Sequence, residues 1–86
     1  MNITNVSVSE PSEDFYVIWC ECNGFRVNVI LNHEEDRVGV TLARNQNSFH
    51  VRSRSFWASN EEVLERLAPA IRELASLPTG TNLLVP

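Results

Sequence analysis

The chain has 86 residues, 43% of them hydrophobic and 21% charged, and a formal net charge of −4. That length makes a single domain, residues 1–86, which buries about 60–65% of its unfolded surface and gains stability from a partner or a homodimer. The composition excludes a disordered chain and the basic coat of a general nucleic-acid binder, and no apolar run nears the roughly 20 residues a bilayer span needs. No basic segment leads into an apolar one at the start, so the expected location is cytoplasmic, with no membrane partner, and the Asn-x-Ser/Thr matches at Asn2 and Asn5 read as chance. All seven basic residues are arginine, so every cation is a planar, stackable guanidinium, even if codon bias explains the choice.

In chain order, Val6 and Val8 alternate with Ser7 and Ser9, which predicts a first strand from Ile3 to Ser9 stopped by Glu10-Pro11-Ser12. Asn23-Gly24 then gives the strongest local signal, because a two-residue type I′ turn needs positive φ at both central positions. Counting outward, Cys22 faces Phe25, Cys20 faces Val27, Ile18 faces Val29 and Tyr16 faces Leu31, all on one apolar side. A turn within His33-Glu34-Glu35-Asp36 carries that side into Val38, Val40 and Leu42, and Phe49 and Val51 join it on a last strand reaching Ser55 or Phe56.

Ser59-Asn60-Glu61-Glu62 fits a capping box, and Val63, Leu64, Leu67, Ile71, Leu74 and Ala75 follow helical spacing. Pro69 interrupts this pattern, predicting a kink near Ala68 or two short helices. Pro78-Thr79-Gly80 ends the helix and leaves an apolar tail, Leu83 to Val85, with no assigned place. The expected fold is therefore α+β: an antiparallel meander of four or five strands with one C-terminal helix, Pro-kinked or split, on its apolar face.

The opposite face is neither polar nor core. It carries Phe15, Val17, Trp19 and Glu21 against Asn32, Ile30, Asn28 and Arg26, then Arg37, Gly39, Thr41, and His50, Arg52, Arg54 and Phe56. One helix covers one side of such a sheet, so an open Arg/aromatic face remains, and Phe15, Trp19, Arg26, Arg37, His50, Arg52, Arg54 and Phe56 are the candidate binding residues. Three plainer explanations compete. The N-terminal strand or the tail could fold over the face as a second core, Glu21 and Arg26 could form only a cross-strand ion pair, and Arg52 and Arg54 could merely keep an edge strand soluble.

Catalysis and cofactor chemistry find little support. There is no phosphate loop, no metalloprotease helix and no nucleophile elbow, and the acids of Glu34-Glu35-Asp36 read as a solvated tip. Cys20 and Cys22 share a strand face as buried thiols, and with His33 and His50 they match no usual zinc spacing, so no metal is expected. The expected function is a non-enzymatic protein-binding module of the inhibitor or adaptor kind, such as a phage-encoded anti-defence accessory protein, working through the open face and dimeric. The alternative is single-stranded nucleic-acid binding, with Trp19, Phe15 or Phe56 stacking on bases and Arg26, Arg37, Arg52 and Arg54 on phosphates. In outline, a curved antiparallel sheet followed by a kinked helix is similar to small coactivator-type single-strand-binding domains, although no motif matches and the acidic composition departs from theirs.

Overall fold

The computed structural model of the protein describes residues 3–22, 24–52 and 59–85. Strands β2 (Phe15–Cys22) and β3 (Phe25–Asn32) pair in the register set by the Asn-Gly turn, with Cys22 opposite Phe25 and Tyr16 opposite Leu31. Gly24 holds φ +81°, the left-handed conformation such a turn requires, while Asn23 lies outside the described residues. At the next turn the Oδ1 of Asn32 accepts the Glu35 backbone N–H at 3.1 Å, and β4 (Arg37–Leu42) returns with Val38, Val40 and Leu42 opposite Leu31, Val29 and Val27. Strand β5 (Ser48–Arg52) adds Phe49 opposite Val40 and Val51 opposite Val38. Beyond Arg52, the expected extension to Ser55 or Phe56 falls outside the described residues.

The sheet has six strands, not four or five, and it is mixed rather than wholly antiparallel. At one edge, β1 (Ile3–Ser12) continues past Ser9 because its irregular pairing absorbs the breakers. The register slips between Thr4 and Ser7, where Asn5 takes φ +52°, and again between Ser9 and Ser12, around Pro11. Bulges of this kind strengthen the twist and blunt an exposed edge. At the other edge the apolar tail forms β6 (Asn82–Val85), parallel to β5. Parallel neighbours need a long crossover, and here the helix supplies it.

Helix α1 (Asn60–Ala75) starts at Ser59, whose hydroxyl accepts the Glu62 N–H at 3.3 Å, and runs through Pro69 as one helix rather than two. It lies against β2 and β4 and buries Val63, Leu64, Leu67, Ala68, Ile71 and Leu74. Beneath it Ile18, Val27, Val29, Val38, Val40 and Leu42 are wholly excluded from solvent, so the side-chain parity of the first hairpin decides which face becomes core. The helix end is tied to the sheet by Asn47, which is fully buried in the β4–β5 connection. Its Nδ2 donates to the carbonyls of Leu74 at 2.9 Å and Leu77 at 3.0 Å, while its Oδ1 accepts the Thr81 N–H at 2.9 Å. Among the described residues no helix is long and apolar enough to cross a membrane.

Candidate functional site

Registered partners project to the same side of a sheet, so the face away from α1 is a grid of side chains. Its first row is Phe15, Asn32, Arg37 and Arg52; its second is Val17, Ile30, Gly39, His50 and Leu84. The third row is Trp19, Asn28, Thr41, Ser48 and Asn82, and a fourth opens with Glu21 and Arg26. Phe15, Trp19, Arg26, Arg37, His50 and Arg52 therefore share one surface, while Arg54 and Phe56 lie outside the described residues.

Among the described residues, neither the N-terminal strand nor the apolar tail folds over this surface. The N-terminal strand and the apolar tail both join the sheet as its edges, β1 beside β2 and β6 beside β5, because each finds backbone hydrogen bonds there. Trp19 is accordingly 44% exposed and Leu84 82% exposed, and Phe15, Val17 and Ile30 on the same face are half-buried. Leu84 could not be placed from sequence, since the parity of an apolar tail is undefined until its neighbouring strand is known.

Each row has its own chemistry. In the second row the His50 imidazole lies across Gly39, so close that a Cβ on the glycine would sit 2.9 Å from His50 Cδ2 and 3.0 Å from Nε2. The missing side chain gives the ring a place to rest. In the third row the Asn28 Oδ1 is enclosed with no hydrogen-bond partner among the described residues.

The first row sets two arginines beside the acids of the neighbouring turn. Arg37 and Arg52 are registered partners on adjacent strands, an arrangement that is unfavourable for like charges. Arg37 Nη1 lies 3.7 Å from Glu35 Oε2 with both groups about half exposed, which limits that ion pair to a few tenths of a kcal/mol. A hollow of about 440 Å³ opens there, lined by Glu34, Glu35, Asp36, Arg37 and Arg52. Glu21 and Arg26 are opposite each other as expected, but no ion pair joins them among the described residues. Strand β6 covers β5 only from Ser48 to Val51, so among the described residues Arg52 stands at an uncovered strand end, where a solubilising charge is expected.

Cys20 and Cys22 are free and buried on the helix face, whereas His50 belongs to the opposite face, so these residues do not converge with His33 on one metal. Burial pushes both thiols above their ordinary pKa; the neighbouring Cys22 adds to the effect at Cys20, and Arg72 opposes it at Cys22. Among the described residues no group of three His, Cys, Asp or Glu is arranged to hold a metal ion. Comparison with protein-family models, with curated proteins and with solved structures finds no match to this chain.

Proposed function

We propose that the protein is a non-enzymatic binding module of the inhibitor or adaptor kind, which receives a protein partner on the open face of its sheet. The observation that carries this reading is Trp19, 44% exposed in the interior of the sheet beside Val17 and Ile30, on the face that α1 does not cover. Tryptophan and arginine are the side chains that most often anchor interfaces, and both lie within this grid.

Single-stranded nucleic acid is the competing ligand for the same surface. Against it stand the net charge of −4 and the three acids of the Glu34-Glu35-Asp36 turn, which border Arg37 and Arg52 and would repel a polyphosphate. Val17 and Ile30 also separate the Trp19 ring from Phe15 and His50 on the same face, which breaks up a continuous stacking platform.

A photo-crosslinking residue placed at position 19 should trap a discrete protein adduct in the source cells, and the same residue at Glu65 on the exposed side of α1 should not. Equal yields from the two positions, or none from position 19, would reject the reading. A labelled single strand that binds at low salt and is lost on Arg52→Gln would replace it with the nucleic-acid alternative.

A further inference from the structure

We infer that the outer edge of β6 is a self-association surface, and that a second copy of this chain pairs with it antiparallel to join the two sheets into one. This inference does not depend on what occupies the open face. The two edges of the sheet are built in opposite ways. At β1 the pairing slips twice, and Glu10 and Pro11 lie within the second slip, so a strand added there finds no regular ladder. Strand β6 has none of these devices. Its sequence, Asn82-Leu83-Leu84-Val85, carries no charge and no proline, and its register with β5 runs without a break from Ser48 opposite Asn82 to Val51 opposite Val85. Leu83 and Leu84 are 43% and 82% exposed, consecutive apolar side chains on a strand that no further strand flanks among the described residues. Edges that stay unpaired in native proteins seldom have this make-up.

The backbone fixes how a second copy fits. The Ser48 N–H donates to the Thr81 carbonyl at 2.9 Å, and backbone groups alternate in direction along a strand, so Thr81, Leu83 and Val85 address β5 while the N–H and C=O of Asn82 and Leu84 point away from it. An antiparallel second β6 engages all of these outward groups in one register, with Asn82 opposite Leu84 and Leu83 opposite its own copy. The two-fold axis stands perpendicular to the sheet between the two Leu83 residues, which places both copies of α1 on one side and both Trp19 faces on the other. On the helix side Leu83, which lines a hollow with Phe49, Leu67, Leu74 and Leu77, meets an identical side chain. On the other side the exposed Leu84 meets Asn82. Both matches arise within one four-residue segment, and this self-complementarity assigns the place to a second copy ahead of a foreign strand. The contact is isologous and closes at two copies, whereas growth into a fibre would require β6 to add to the irregular β1 edge. Four residues a side make a contact smaller than the roughly 1,200–2,000 Å² of a standard interface, so the dimer is reversible and concentration-dependent.

Sedimentation velocity on the intact chain, followed from micromolar to millimolar concentration, should show the molar mass rising towards twice that of the monomer. Leu84→Pro removes an N–H that points away from β5 and leaves the β5–β6 ladder in place, so it should hold the protein at monomer mass with an unchanged circular dichroism spectrum. Leu84→Ala keeps that N–H and should still dimerise. Independently, Leu83→Cys should yield a disulfide-linked dimer on mild oxidation, because directly opposed residues of a non-hydrogen-bonded pair lie within disulfide range, and Glu65→Cys on the exposed side of α1 should not. The native thiols are buried and do not confuse the readout. A chain that stays monomeric at millimolar concentration, a Leu84→Pro variant that dimerises like the native chain, or equal crosslinking from positions 83 and 65 would overturn the inference. Loss of the dimer on Trp19→Ser would move the contact to the open face and overturn it as well.

Discussion

Asn47 shows how one buried amide can hold three elements together. Its two N–H donors cap the carbonyls of Leu74 and Leu77 where α1 ends, and its oxygen receives Thr81 just before β6, so helix, loop and edge strand meet at one side chain. Within Asn45-Gln46-Asn47 the sequence reads as an ordinary polar loop, because nothing local distinguishes the residue that turns inward. Asn47→Ala leaves the Leu77 carbonyl without its amide donor, while the Leu74 carbonyl keeps the Leu77 N–H and the Thr81 N–H keeps the Pro78 carbonyl; it should cost about 2 kcal/mol, read as a fall in the urea midpoint with the slope unchanged. Faster amide exchange should follow in the last turn of α1 and in β6; a loss under about 1 kcal/mol would mean that water replaces the amide. The buried thiols give a second residue-level prediction. With folded pKa values raised by burial, the unfolded chain releases these protons first, so their contribution is intact below the unfolded value of about 8.5 and declines as pH rises beyond it. The stability of the native chain should therefore fall more between about pH 7 and about pH 10 than that of Cys20→Ala/Cys22→Ala, and parallel curves would assign the decline to other groups.

Among the elements, α1 carries a visible conflict. Pro69 cannot return a hydrogen bond to the Glu65 carbonyl, yet the helix passes through it because Leu67, Ala68 and Ile71 on either side are buried and their packing outweighs the lost bond. Pro69 itself is exposed, so Pro69→Ala should raise stability by about 1–3 kcal/mol without disturbing the core, measured by denaturant unfolding. No gain would mean that proline's restriction of the unfolded chain compensates for its cost in the helix. The same balance explains which elements were legible in sequence. The β2–β3–β4 register follows from one Asn-Gly turn and strict alternation, and the helix start follows from Ser59, because these signals act over a few residues. The extension of β1 past Pro11 and the pairing of β6 depend on partners far along the chain. A parallel edge strand has no turn to announce it, and a bulge at Asn5 is read only once the strand beside it is known. For the site, parity put Phe15, Trp19, Arg26, Arg37, His50 and Arg52 on one face in advance, whereas Leu84 and the enclosed Asn28 oxygen required the assembled sheet.

At the scale of the whole molecule, one sheet divides stability from recognition. The Cα radius of gyration, 11.9 Å, matches the roughly 12 Å expected of a compact domain of this length, so the chain is compact without anything on its open face. Compactness comes from the side that meets α1, where Ile18 is 0% exposed, while its chain neighbour Trp19 points the other way at 44%. If the two sides have separate roles, adjacent substitutions should behave oppositely. Ile18→Ala opens a cavity under the helix and should cost about 2–4 kcal/mol. Trp19→Ser removes a half-exposed ring and should shift unfolding by about 1 kcal/mol or less while abolishing capture of any partner through this face. Thermal and urea unfolding of the two variants beside the native chain decides the matter. Should Trp19→Ser destabilise as much as Ile18→Ala, the open face would be a second core with a solvent-facing rim, and the aromatic and arginine grid would owe its composition to folding instead of binding.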